Sequence, residues 1–245
     1  MHLQFIGSGD AFGSGNRFNT CIHVTGKSAD FLIDCGATSL VALKKQGIDP
    51  ASIEMILITH FHADHFGGIP FLLLDAQFSK RETPLTIAGP PGLNAAFITV
   101  MEALFPGSSS VQQRFPLNLL ELAPREEAEI GNVLMTPFQV NHCSADGLFY
   151  YAYRVSAEDR TFTYTGDTEW TNELIQAARD TDLLIAEAYF FEKKVRGHLD
   201  LKTLIRHLEL VQSKRIILTH MSNDMLQRLP VLSFETAHDG KIVEI

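Results

Sequence analysis

The feature that most constrains this chain is the segment THFHADHFGG at residues 59–68. It follows the apolar run MILI (55–58), which has the length and β-branched content of a buried strand. Four side chains that can bind metal ions leave this strand end close together: His60, His62, Asp64 and His65. Imidazole and carboxylate ligands together suit zinc, with manganese or iron as alternatives. We predict a metal-binding loop, and a solvated histidine-rich loop is the plain alternative.

The same pattern, a short apolar run that ends at a polar side chain, recurs along the chain. Runs of this kind end at Asp34, His60, Asp167, Glu187 and His220. Polar residues just past strand ends are where α/β proteins bind ligands. The echo between ILITH (56–60) and IILTH (216–220) suggests two similar halves that each send a histidine to a shared centre. Chance similarity between two buried strands is the alternative.

The remaining periodicity predicts the other elements. Strand-like alternation occupies 2–6, 22–25, 85–88, 133–140 and 148–155, and helical patterns occupy 67–79, 92–104, 171–179 and 200–212. Thr171 and Asp200 are candidate helix caps. Residues 105–131 are predicted to form a long loop. Because blocks of strands are separated by single helices, mixed sheets with outer helices are favoured, and we expect one domain over residues 1–245.

Composition excludes several classes of protein. The chain has 20 basic and 29 acidic residues, a net charge of −9, and no dense basic run, which disfavours non-specific binding to nucleic acid. Its 3 cysteines lack a C-x-x-C pair, which excludes a cysteine-rich zinc finger. No secretion signal is visible, and no apolar run approaches the ~20 residues of a membrane helix. We expect a cytoplasmic protein without membrane contacts.

Five spaced motifs together resemble the metallo-β-lactamase superfamily of binuclear metallohydrolases. The H-x-H-x-D-H motif at 60–65 is accompanied by LIDCG, VNHCS, YTGDT and LTHMS, in the order that this superfamily shows and over essentially the whole chain. The resemblance implies an α/β fold of four layers, an αββα sandwich of two mixed β-sheets with outer helices.

The resemblance also implies a site for two divalent metal ions. It assigns His60, His62 and His142 to the first ion, Asp64, His65 and His220 to the second, and Asp167 to both as a bridge. A hydroxide between the two ions would be the nucleophile. Asp34 would orient a ligand histidine by accepting its other N–H, with a plain turn aspartate as the alternative.

The second half of the chain resembles the ribonuclease Z and phosphodiesterase branch of the superfamily. The resemblance is carried by LLIAEA (183–188) and RGHLD (196–200). In that branch a histidine supports the phosphate or protonates the leaving oxygen, and a glutamate orients it. His198 and Glu187 match these positions, and with Asp64 they are the predicted catalytic residues. A surface histidine and a strand-end glutamate are the alternative.

Two departures from ribonuclease Z concern its substrate. The long basic arm that clamps tRNA would lie after YRV (153–155), but only a few residues separate this segment from the strand that carries the GDT motif. The usual Gly-His-Ser-Thr sequence reads GHLD at 197–200. Together with the negative charge, the missing arm disfavours tRNA 3′ processing and extended nucleic acid.

The sequence therefore predicts a metal-dependent hydrolase, a phosphodiesterase acting on a small phosphodiester. A cyclic nucleotide, a cyclic sugar phosphate and a short oligonucleotide are the candidate substrates. Hydrolysis of a thioester, lactone or β-lactam at the same site is the alternative activity, since the hydroxide could attack a carbonyl. A non-catalytic metal-binding protein is the alternative from another class. By resemblance alone, we expect a homodimer.

Overall fold

The computed structural model describes residues 1–143 and 147–245. Two β-sheets of seven strands each pack face to face, and helices cover both outer surfaces. The predicted αββα sandwich of two mixed sheets is therefore confirmed.

The first sheet is mixed. Its strands are β1 (His2–Gly7), β2 (Cys21–Thr25), β3 (Asp30–Ile33), β4 (Met55–Leu57), β5 (Leu85–Gly89), β6 (Leu117–Glu121) and β14 (Ile242–Glu244). They lie in the order β14-β1-β2-β3-β4-β5-β6. The strands from β14 to β3 pair antiparallel, and those from β3 to β6 pair parallel.

The second sheet is also mixed. Its strands are β7 (Ala128–Ile130), β8 (Val133–Gln139), β9 (Tyr151–Ala157), β10 (Arg160–Tyr164), β11 (Leu183–Glu187), β12 (Ile216–Thr219) and β13 (Glu235–Thr236). They lie in the order β13-β12-β11-β10-β9-β8-β7. Pairing is antiparallel from β7 to β10 and parallel from β10 to β13.

Three apolar layers hold the sandwich together. Residues of β3 alternate between layers, because Phe31 and Ile33 enter the core between the sheets while Leu32 packs under the outer helices. The helices are α1 (Ser39–Lys45), α2 (Ala63–Phe66), α3 (Ile69–Phe78), α4 (Leu93–Leu104), α5 (Glu173–Ala178), α6 (Leu201–Arg206), α7 (Leu208–Val211) and α8 (Asn223–Leu226).

The prediction of a long loop at 105–131 was wrong, because this region contains β6 and β7. Both are edge strands, and neither has a fully buried residue. Half of the pairing surface of an edge strand faces solvent, so its sequence lacks the apolar run by which buried strands are recognised.

The predicted helices are partly confirmed. The pattern at 200–212 forms two short helices, since His207 lies outside helical geometry between α6 and α7. Asp200 caps α6, and its carboxylate accepts the N–H of Thr203 at 2.9 Å. Helix α5 begins at Glu173, later than predicted, and the Thr171 hydroxyl accepts the Glu173 N–H at 3.4 Å.

A tight turn joins β9 to β10 where ribonuclease Z carries its arm. Glu158 and Asp159 form the turn, with φ angles of 52° and 60°. Left-handed geometry at both central residues is the hairpin conformation that matches the twist of paired strands. The chain therefore has no insertion at this point.

Among the described residues, the structure contains no helix with the length and apolar character that a membrane span requires.

Candidate active site and metal centre

The predicted ligands meet where the loops that follow β4, β8, β10 and β12 converge. Two hydrogen bonds fasten the loop after β4 to the second sheet. The N–H of Tyr151 donates to the carbonyl of Thr59 at 3.0 Å, and the hydroxyl of Tyr153 donates to the carbonyl of Ile58 at 2.9 Å. Strands from both sheets therefore supply the site, and packing of the sheets fixes its geometry.

One cluster consists of three histidines. Ligand atoms of His60, His62 and His142 all lie within 4.8 Å of one another. The Nδ1 of His142 donates to the carbonyl of Gly197 at 2.6 Å, and its Nε2 lies 3.0 Å from the Nδ1 of His62. A backbone carbonyl that holds one ring nitrogen fixes the tautomer and presents the other nitrogen as a ligand.

The second cluster combines two carboxylates with two histidines, Asp64, His65, Asp167 and His220. The Oδ1 of Asp167 lies 3.3 Å from the Nε2 of His65 and 3.5 Å from the Nε2 of His220. The Oδ2 of Asp167 lies 3.8 Å from the Nε2 of His142, which belongs to the first cluster. Asp167 therefore lies between the two clusters, where a bridging ligand would be required.

Asp34 orients His65 from behind. Its Oδ2 accepts the Nδ1–H of His65 at 2.7 Å, and its Oδ1 accepts the N–H of Thr59 at 2.8 Å. Asp34 is fully buried, and burial raises the pKa of its carboxyl while the charge of His65 acts in the opposite direction. Its φ of 58° is a left-handed conformation, which non-glycine residues adopt chiefly where other contacts enforce it. These contacts leave the Nε2 of His65 directed at the second cluster.

The residues present fit metal ions. Among the described residues, the Nε2 of His60, the Nε2 of His65 and the Oδ1 of Asp167 are buried without a hydrogen-bond partner. Unpaired buried polar atoms are costly, and a cation would satisfy all three. Burial lowers the pKa of His60, which keeps its ring neutral, as metal binding requires. Burial also acts to lower the pKa of His65, but the carboxylates of Asp167 and Asp34 outweigh it and raise that pKa. The negative charge of these carboxylates therefore favours a cation at this position.

Replacing Asp34 with asparagine is expected to weaken zinc binding by about 10- to 100-fold, the usual cost of losing the partner that orients a ligand histidine. Asparagine replaces one of the two acceptor oxygens with an NH2 group, which would face either the Nδ1–H of His65 or the N–H of Thr59, so one of the two contacts would be lost. Chelator competition measures the affinity. Asp30→Asn is the matched control, because Asp30 accepts from the Nε2 of His23 at 2.7 Å away from the site. Equal affinities in both variants would contradict the orienting role.

Glu187 and His198 form a hydrogen-bonded pair beside the second cluster. Glu187 is fully buried; its Oε1 bonds to the Nδ1 of His198, and its Oε2 accepts the N–H of Thr168 at 2.9 Å. Tyr189 stacks on the His198 ring with centroids 4.5 Å apart. Burial acts to lower the pKa of His198, but the hydrogen bond to Glu187 and its charge raise it above the usual value.

The clusters open into a cleft of about 240 Å³. His198 lines this cleft with its side chain 21% exposed, and its Nε2 forms no hydrogen bond with the described residues. Asp10 and Phe12 also line the cleft, which places the loop after β1 at the site. The sequence interpretation assigned no role to Gly197, although it lies in the motif at 196–200, or to Tyr189, which is close in sequence to Glu187.

Fold and ligand clusters together define the class as the metallo-β-lactamase fold, and proteins named ribonuclease Z and ribonuclease BN among its relatives place the chain in the ribonuclease Z-like branch. The sequence model of the family described as Anti-Pycsar protein Apyc1 matches residues 1–236. The chain belongs to this family.

Individual relatives agree with this classification. The chain is 32% identical over 156 residues to a protein named ribonuclease Z from Agathobacter rectalis, a match that covers 63% of this chain and 48% of that protein. The chain thus spans about half the length of the first curated relatives that it matches. The fold is shared with human tRNase Z, short form (TM-score 0.81, 23% identity, 100% and 99% coverage), and with YhfI from Bacillus subtilis (TM-score 0.80, 21% identity, 100% and 98% coverage).

Proposed function

We propose that this chain is a phosphodiesterase that uses two divalent metal ions to hydrolyse a small phosphodiester. The observation that carries this proposal is the Glu187–His198 pair, held beside both ligand clusters and open to the cleft. Zinc is the proposed metal, with manganese and iron as alternatives, because the ligands are imidazoles and carboxylates. The substrate is a cyclic nucleotide, a cyclic sugar phosphate or a short oligonucleotide.

The chain's own residues have distinct tasks in this reaction. Bound divalent ions would supply an ionised water as nucleophile and would neutralise the phosphoryl oxygens. His198 donates the proton on Nε2 to the leaving oxygen as the bond between phosphorus and that oxygen breaks. Glu187 holds Nδ1 and stabilises the charged ring before the transfer. Water contributes the new oxygen on phosphorus, so the products are a phosphate monoester and an alcohol.

The pair favours phosphodiesters over acyl substrates. An alkoxide that leaves phosphorus needs a proton near neutral pH, and His198 is placed to give it. Hydrolysis of a thioester, lactone or β-lactam by the same centre has no evident role for the Glu187–His198 pair. The tight turn between β9 and β10 and the net charge of −9 support a small substrate over tRNA.

Replacing His198 with alanine tests the proposal. Hydrolysis of a 3′,5′-cyclic nucleotide or a dinucleotide, whose leaving oxygen is an alkoxide, by the zinc- or manganese-loaded chain is expected to lose about 10²-fold or more in kcat, the usual contribution of a proton-transfer group. The loss with bis(p-nitrophenyl) phosphate is expected to be smaller, because nitrophenolate leaves without a proton. Bound metal is expected to stay at two ions per chain. His238→Ala, at an exposed turn, is the matched control. Wild-type chain with two metals and no turnover of any of these phosphodiesters would overturn the proposal. Full turnover of the substrates with an alkoxide leaving group by His198→Ala would contradict the proton-transfer role of His198 and favour the acyl substrates.

A further inference from the structure

A larger cavity adjoins the metal cleft on the side of His198. It encloses about 470 Å³, and three of its lining side chains are cationic: Lys194, Arg196 and Arg206. His198 and Arg196 line both the cavity and the metal cleft, so the two spaces adjoin at these side chains. The mechanism proposed above leaves this cavity unassigned.

The charges of the cavity are unbalanced. Lys194, Arg196 and Arg206 have no hydrogen-bond or ion-pair partner in the part of the chain that the structure describes. Three cations of the wall stand against two carboxylates, which also accept backbone N–H groups: Glu169 accepts from Gly197 at 2.7 Å, and Asp200 accepts from Thr203 at 2.9 Å. In a chain with a net charge of −9, this local excess of cationic side chains favours an anion.

The position of His198 indicates which part of a substrate would reach the cavity. In an in-line displacement the leaving oxygen departs on the side opposite to the nucleophile. The inference rests on the proposed function, in which His198 protonates the leaving oxygen. The leaving half of the substrate therefore lies on the His198 side of the reacting phosphorus, which is the side that adjoins the cavity.

We propose that the cavity is a second phosphate-binding site, which takes a phosphate group carried by the leaving half of the substrate. The substrate class is then a phosphodiester whose leaving alcohol is itself phosphorylated. Among the three candidate substrates, a short oligonucleotide carries such a group. Guanidinium groups of Arg196 and Arg206 can form paired hydrogen bonds with phosphate oxygens, and Lys194 adds a point charge.

Equilibrium binding of three nucleotides to the zinc-loaded chain tests the second site. The probes are thymidine 3′,5′-bisphosphate and the two thymidine monophosphates, titrated by calorimetry. We expect the bisphosphate to bind at least about tenfold more tightly than the better monophosphate, as charge-assisted hydrogen bonds to a second phosphate would give. We also expect the advantage to shrink at high salt, because these cations are exposed to solvent.

Arg206→Gln is the informative variant, because Arg206 ends α6 and lines only the larger of the two spaces. The ratio of the two affinities is expected to fall to within about threefold of unity, since one of the charged partners is lost. Arg179→Gln, at an exposed arginine outside the cavity, should keep the full ratio. A ratio near unity in the wild type, or an unchanged ratio in Arg206→Gln, would overturn this proposal. Failure of the proposed function would appear separately, as absent turnover of all the phosphodiesters named for its test.

Discussion

Replacing Asp167 with asparagine is expected to lower kcat/KM for a phosphodiester by about 10³-fold or more, beyond the 10- to 100-fold that loss of an outer partner costs. Asp167 alone among the predicted ligands combines contacts to His65, His220 and His142, so it connects both clusters. Asparagine keeps the shape of the side chain but removes the charge and one acceptor oxygen. Bound metal is expected to fall from two ions to one per chain.

Metal content after desalting and initial rates with added zinc measure the two effects of Asp167→Asn. Stability provides a third readout, because an ion that binds only the folded state raises the melting temperature. The rise produced by zinc should therefore be smaller in Asp167→Asn than in the wild type. Asp159→Asn removes the same charge at an exposed turn and is the matched control. Two bound ions and near-normal rates in Asp167→Asn would contradict a bridging role.

The part of the site that sequence alone could predict is the part encoded locally. The segment at 59–68 places four ligand-type side chains on one loop, so no knowledge of distant contacts was needed to recognise it. Buried strands such as β3 and β11 were also recognisable, because both faces of each strand are covered and the sequence is a continuous apolar run.

The similarity between residues 56–60 and 216–220 shows both what a local sequence pattern can predict and what it cannot. Strands β4 and β12 lie in different sheets, yet the chain after each strand carries a histidine to the common centre. His60 joins the three-histidine cluster, and His220 joins Asp167 in the second cluster. The sequence therefore indicated convergence, but only the packing of one sheet on the other assigns each histidine to its cluster.

Contacts between residues distant in sequence explain what the sequence did not predict. Edge strands β6 and β7 depend on pairing with neighbours and not on their own apolar pattern. Gly197 orients His142 across a separation of 55 residues, and its sequence neighbourhood shows only that it precedes His198. Such a backbone contact involves no distinctive side chain, so composition and spacing do not reveal it.

The close approach at Gly197 leads to the second large effect, which is expected from Gly197→Ala. Gly197 has a φ of +83°, and a Cβ added there would lie 2.1 Å from the carbonyl oxygen of His142 and 3.0 Å from its Nδ1. Both partners are backbone or ligand atoms within the site, so the clash must displace His142, His198 or both. We expect kcat to fall by about 10²-fold or more, because a misplacement near 1 Å is enough for such a loss.

Gly107→Ala separates this clash from backbone strain. Gly107 has nearly the same φ, +86°, but a Cβ there would meet nothing within 4 Å. Both variants should lose about 1–2 kcal/mol of stability, the cost of a left-handed non-glycine residue. At this chain length that corresponds to a fall in melting temperature of roughly 2–8 °C. Only Gly197→Ala should also lose activity and zinc affinity at the three-histidine cluster. If both variants kept full activity, the Gly197 carbonyl would not be what positions His142, and the orientation of that ligand would have to come from the second sheet alone.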